Sequence, residues 1–182
     1  MNALDDNALV TQVAAFHNKK AFSQLVVKHQ SRIRRFFLQQ TGGDEALSDD
    51  LAQETFIKAY TNITKFRGTA AFTSWLYRIA CNVFYDNVRR RRPTADIDSG
   101  EVLRARADGG DPGAAMDICR AMRCLSDKER TCITLQLTDG YPIDEIAKIT
   151  GMTEGTVKSH LFRGKQKLTE YLKNNGYDRK RE

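Results

Sequence analysis

Lys158, Ser159, Phe162, Arg163 and Lys165 follow one another at close helical spacing near the end of a 182-residue chain. Cations one turn apart share a side of a helix and neutralise phosphate there. This is chemistry of recognition, not of bond-making. A second set, Tyr77, Arg78, Asn82, Phe84 and Tyr85, precedes the run Arg89–Arg92. Aromatic faces stack unpaired bases at roughly 1–3 kcal/mol each while cations hold the backbone, so this mixture suits single-stranded nucleic acid. Just before it lies the loop Lys65-Phe66-Arg67-Gly68-Thr69-Ala70-Ala71. With its glycine and cations it could pocket an extruded base, at a cost of roughly a few kcal/mol of unstacking. Tyr77 and Tyr85 fit core and surface equally well, whereas Phe72 and Trp75 read as core. A third set, Asp49, Asp50, Gln53 and Glu54, is acidic and repels phosphate. It is either solvated surface or a docking face for a basic protein.

Helices must position all three sets. Leu9, Val13 and Phe16 mark a short amphipathic helix; Phe22, Leu25, Val26, His29, Ile33, Phe36 and Phe37 mark a longer one that Gly42-Gly43 ends. A third helix is predicted over 47–63, with Ala52, Phe56, Tyr60 and Ile63 inward. A fourth starts near Ala71 and carries Phe72, Trp75, Leu76, Ile79 and Val83 inward until Pro93 stops it. Beyond, Ile118, Met122 and Leu125 share a face, and Ser126-Asp127-Lys128-Glu129 is a capping box. Ile143, Ile146 and Ala147 share the face of one more helix. Thr150-Gly151-Met152 turns, Thr153 caps the next, and Val157 and Leu161 point back. That is a helix-turn-helix, whose second helix enters the major groove. The fold class is therefore all-α.

Charge divides the chain into residues 1–92 at +6, residues 93–112 at −3 and residues 113–182 at +3. The middle segment is rich in glycine and acid and poor in large apolar residues, so it reads as a flexible linker between two helical domains. Fully extended, its 20 residues reach at most roughly 70 Å, about two turns of B-DNA at roughly 34–36 Å each. The net charge of +6 suits a nucleic-acid partner. No apolar run approaches the roughly 20 residues of a membrane span, and no signal peptide is recognisable, so a cytoplasmic location is expected. Cys81, Cys119, Cys124 and Cys132 lack metal-ligand spacing, and His17, His29 and His160 are scattered. No metal or cofactor is expected. Nor is an enzyme, since the sequence offers no convergent carboxylates, no nucleophile with its base and no phosphate-binding glycine loop.

The stretches Asp49–Tyr60, Phe66–Asn82 and Gly155–Arg163 together resemble bacterial RNA polymerase sigma factors, specifically the extracytoplasmic-function group and its envelope-stress members. The resemblance spans nearly the whole chain outside the linker and last residues. It implies that residues 1–92 form a region 2-like domain, in which Asp49, Asp50, Gln53, Glu54, Phe56 and Ile57 dock on the polymerase clamp. Lys65, Phe66, Arg67, Gly68, Thr69, Tyr77, Arg78, Asn82, Tyr85 and Arg89 would recognise and melt the minus-ten element. Residues 113–182 would form a region 4-like domain beside the polymerase flap, with Thr156, Lys158, Ser159, Phe162, Arg163 and Lys165 on the minus-thirty-five element. The linker would thread toward the RNA path. The implied partners are core polymerase, promoter DNA as duplex and melted strand, and an anti-sigma factor; the free chain would be a monomer, nucleoid-associated in holoenzyme. His160 and Gly164 depart from the commoner Arg and Ala, and the glycine should cost roughly 1 kcal/mol of helix stability. The competing reading is a stand-alone helix-turn-helix regulator acting as a dimer, which leaves the aromatics of the fourth helix unexplained.

Overall fold

The computed structural model describes residues 5–91 and 120–174. The expected linker 93–112, Ile118 and Cys119 lie outside them. The described residues are helical, without a strand: α1 (Asp6–Phe16), α2 (Lys19–Thr41), α3 (Glu45–Thr61), a 3-10 turn (Ile63–Lys65), α4 (Phe72–Arg91), α5 (Asp127–Ile133) widening into a π-type turn (Thr134–Thr138), α6 (Ile143–Thr150) and α7 (Glu154–Asn174). The chain forms two units. Among the described residues, the first takes 5–37 and Glu45–Arg91; the second takes Leu38–Asp44 and 120–174.

In the first unit, Asn18 starts α2 by accepting from the backbone N–H groups of Lys20 (3.1 Å) and Ala21 (3.3 Å), two donors that would otherwise be orphaned. Gly42 and Gly43, which belong to the second unit, stop it with φ of 71° and 96°, the left-handed region that costs glycine least. The core joins Leu9 and Val13 of α1, Leu25, Ile33, Phe36 and Phe37 of α2, Leu51 and Ala59 of α3, and Leu76, Tyr77, Ala80 and Val83 of α4.

Two expectations are corrected here. Phe16 is 78% exposed: α1 ends there and His17 turns left-handed at φ 50°, so the chain leaves the apolar face one residue too soon. Tyr77, expected to contact DNA, has no exposed surface and meets the Phe36 ring edge-on at 5.4 Å. The buried face of α4 runs through Phe72, Leu76, Tyr77, Ala80, Cys81, Val83 and Phe84. It is rotated away from Trp75 and Ile79, which are half-buried. Bulk misled the sequence reading: the small Ala80 and Cys81 mark the true centre of the face.

In the second unit the capping box forms as expected. Glu129 N–H donates to Ser126 Oγ at 3.4 Å, and Ser126 N–H to Glu129 Oε2 at 3.0 Å. The same carboxylate accepts from Lys167 Nζ of α7 at 2.8 Å. Arg130 donates to the carbonyls of Met122 (2.9 Å), Leu125 (2.8 Å) and Gln40 (2.8 Å), gathering orphan acceptors that a buried chain end cannot leave unmet. Within the same unit Gln40 bonds both Thr131 and Thr134 through its amide.

Burial alone would raise the pKa of Glu129, but the donors Lys167 and Ser126 outweigh it and hold the carboxyl below its ordinary value. A carboxylate depressed on folding contributes stability above the unfolded value of about 4.3, and that stability is lost as pH falls through the folded one. Glu129→Gln removes the charge-assisted bond and should cost about 1–2 kcal/mol at pH 7. The gap between variant and parent should shrink on acidification below about pH 4, as read by urea unfolding at pH 7 and pH 3.5. A gap that stays constant with pH would refute this role.

Candidate polymerase and nucleic-acid interfaces

An open groove of about 680 Å³ runs between α2 and α3. Phe22, Val26, Ala52, Phe56, Ile57 and Tyr60 supply its apolar lining, with the Phe22 and Tyr60 rings edge-on at 4.9 Å. Arg34 marks its polar rim, donating from Nε to Asp49 at 2.6 Å and from Nη2 to Glu45 at 3.3 Å. Asp49, Gln53, Phe56 and Ile57 of the expected docking set therefore come together, with Phe56 as floor and Ile57 56% exposed on the edge. Asp50 and Glu54 do not line the groove. Glu54 pairs with Lys58 one turn on along α3 at 2.8 Å and reaches Arg90 near the end of α4 at 3.9 Å. Asp86 joins that network through Arg89 (3.1 Å) and Lys58 (3.8 Å). Sequence reading assigned Phe22 and Val26 to the core and overlooked Arg34. The signal was present: α2 carries more apolar residues than one buried face can absorb, including Val27 at 69% exposure.

The loop after the 3-10 turn exposes Lys65, Arg67, Gly68 and Thr69, with Gly68 at φ 69°. Phe66 is half-buried, its ring 5.8 Å from Phe72 and 5.5 Å from Trp75. Trp75 thus stands at the rim of an aromatic cluster, not deep in the core. On α4, Arg78, Asn82 and Arg89 are exposed and Tyr85 is half-buried. Of the expected minus-ten set, only Tyr77 is sealed away from any base.

In the second unit Gly151 ends α6 at φ 72°, its N–H reaching Ala147 O at 2.9 Å. Thr153 Oγ1 caps α7 by accepting from Thr156 N–H at 3.2 Å. Ile146 and Ile149 bury against Val157 and Leu161, so the helix-turn-helix forms. Thr156, Lys158, Ser159, Phe162, Arg163 and Lys165 are all exposed. Phe162, at 64% exposure, is an uncovered ring amid cations, suited to a thymine methyl. Arg163 bends back to Ser159 O at 3.3 Å. His160 is half-buried beside it, and burial followed by the Arg163 charge lowers its pKa.

The glycine at 164 has a reason the sequence does not show. A Cβ there would sit 2.9 Å from Ile133 Cγ1 and 3.6 Å from Glu129 Cβ, so α5 and α7 cross at a distance only glycine permits. Among the described residues no three His, Cys, Asp or Glu side chains gather to hold a metal. Cys81 and Cys132 are buried, and burial pushes the Cys132 thiol up to about 12. No described helix is long and apolar enough to cross a membrane.

Two family models match the chain: sigma-70 region 2 over residues 25–94 and sigma-70 region 4 over residues 115–168. The ECF RNA polymerase sigma-E factor of Escherichia coli K12 is 33% identical over 180 residues, covering 91% of this chain and 93% of that protein. The ECF sigma factor SigW of Bacillus subtilis is 32% identical over 171 residues, covering 86% and 91%. Among solved structures, CnrH in complex with the cytosolic domain of CnrY superposes with TM-score 0.70 at 25% identity, covering 93% of this chain and 97% of that one. The sigma factor RpoE with the anti-sigma factor NepR from Bartonella quintana gives 0.67 at 28% identity, covering 85% and 98%. The groove and the 65–71 loop thus fall within the region 2 match and the helix-turn-helix within the region 4 match. The chain belongs to the sigma-70 family, in its extracytoplasmic-function group, whose members bind core RNA polymerase and promoter DNA and perform no catalysis of their own.

Proposed function

We propose that this chain binds the polymerase clamp through the α2–α3 groove, opens the minus-ten element with the loop at 65–71 and the outer face of α4, and reads the minus-thirty-five element with α7. The observation carrying this reading is that one small unit holds both a mostly apolar groove and a separate exposed face of Lys65, Arg67, Arg78, Asn82 and Arg89. A protein partner fits the first and a melted strand the second. A dimeric helix-turn-helix regulator would need neither. CnrH and RpoE were each captured with a proteinaceous partner. This chain is accordingly assigned an anti-sigma factor that holds it until an envelope or related stress. The free protein is a monomer in the cytoplasm, joining the nucleoid in holoenzyme, and segment 93–112 is its interdomain linker.

Reconstituted transcription tests the reading. Core polymerase with this chain should initiate at discrete sites on genomic fragments, while the chain alone binds the same DNA weakly; holoenzyme that initiates nowhere overturns it. Arg163→Ala should weaken binding to a minus-thirty-five duplex about tenfold at low salt and reduce the salt slope by about one. The difference should therefore narrow as salt rises. An unchanged slope in fluorescence-anisotropy titrations would remove Arg163 from the phosphate contacts.

A further inference from the structure

His29 is a buried histidine that none of the three interfaces uses. Its side chain is 7% exposed, and Nε2 lies 2.9 Å from Asp6 Oδ2. A carboxylate only accepts, so Nε2 carries the proton. Asp6, the first residue of α1, is also paired with Lys28 Nζ at 2.7 Å. Through this pair His29 holds α1, and α1 packs on the 3-10 turn from which the loop at 65–71 departs. On its other side the imidazole lies 5.5 Å from the Phe72 ring, where α4 begins and the loop ends. Phe72 and Trp75 then flank Phe66, the loop's own aromatic. One side chain thus touches the supports of both ends of a seven-residue loop whose middle, at Gly68, is exposed, with open space where a Cβ would stand.

We propose that the His29–Asp6 pair is a positioning device for promoter melting, fixing the two anchors of the minus-ten loop so that its base pocket is formed before the strand arrives. A loop held in its binding geometry spends less of its binding energy on ordering. His29 never meets the nucleic acid; it acts through α1 and Phe72. The groups charging its surroundings are Asp6 from α1 and Lys28 and Arg32 from α2, while Phe72 from α4 is neutral. Burial lowers its pKa against the opposing pull of Asp6. The neutral donor therefore persists to lower pH than in an ordinary histidine.

The inference rests on the proposed role of the loop, and the test separates the two. In holoenzyme on a promoter fragment it opens, Asp6→Ala and His29→Leu should slow opening at least fivefold, followed by permanganate reactivity of unpaired thymines. Affinity for core polymerase should stay within twofold. His29→Gln, which keeps an N–H donor without a titrating ring, should retain at least half of the parent rate. In the free chain the emission of Trp75, the only tryptophan, should titrate with pH below about 6.5 in the parent and stay flat in His29→Gln. If His29→Leu does not fold, Asp6→Ala and His29→Gln carry the comparison. Parent-like opening in Asp6→Ala, or equal defects in His29→Gln and His29→Leu, overturns the positioning role. Arg67→Ala tells which idea has failed: if it impairs opening while Asp6→Ala does not, only this inference falls. If Arg67→Ala also opens normally, the loop itself has been misassigned.

Discussion

Ile57→Glu should lower the affinity of this sigma factor for core polymerase about a hundredfold while leaving its folding intact. Ile57 is 56% exposed on the edge of the α2–α3 groove, beside the Phe56 floor and Tyr60. Covering an isoleucine with a partner contributes about 1.5–3 kcal/mol, and a carboxylate in its place must also lose water on docking. About 3 kcal/mol in total corresponds to roughly a hundredfold in Kd. Ile57→Lys should lose nearly as much, because apolar cover is what is missing. The free chain should barely notice either change, since substitutions at exposed positions usually stay within about 0.5 kcal/mol. The measurement is a titration of labelled chain with core polymerase, paired with thermal unfolding. A Kd within twofold of the parent would mean that the groove is not the docking face. Reversing Asp50 or Glu54 is the less informative experiment, because neither lines the groove and Glu54 is engaged by Lys58 and Arg90.

Gly164→Val should destabilise the helix-turn-helix unit by about 3 kcal/mol. The added Cβ alone would come within 2.9 Å of Ile133 Cγ1 and 3.3 Å of its Cδ1. Cγ1 is the middle of a branched side chain whose rotamer is stiff, so α5 and α7 must separate. Overpacking of this kind costs about 1–3 kcal/mol, and valine brings two further methyl groups. In a small domain each kcal/mol shifts Tm by about 4–8 °C, so the unit should melt roughly 12–24 °C lower. Gly164→Ala gains about 1 kcal/mol of helix propensity against the same clash and should be milder. Combining Gly164→Val with Ile133→Ala should recover part of the loss, a coupling that a double-mutant cycle reads directly. A Tm within 2 °C of the parent in the single variant would show that the crossing has room to spare.

Local chemistry made much of this molecule legible in advance. The capping box at Ser126, the glycine stop at Gly42, the turn at Gly151 and the Thr153 cap each depend on a few neighbouring residues, and each forms as expected. What escaped the sequence depends on which neighbours a helix meets. Tyr77 is amphipathic, so its type suits base stacking and burial alike. Only the arrival of Phe36 decides for the core. Gly164 looked like a local weakness and proved to be a spacing requirement imposed by a residue thirty-one positions away. The groove escaped for the same reason: Phe22 and Val26 look like core until α3 is seen to leave them half covered.

The carboxylates around the end of α4 bear on how this protein behaves before it has found a target. Asp86 and Glu54 lie within 4 Å of Arg89 and Arg90 respectively, so part of the arginine run already carries its own counter-ions. A phosphate must compete with them, and the electrostatic driving force from displaced salt is correspondingly reduced. If α4 meets DNA as proposed, these built-in counter-ions blunt its hold on arbitrary duplex and leave the advantage to an unpaired strand that offers stacking as well as charge.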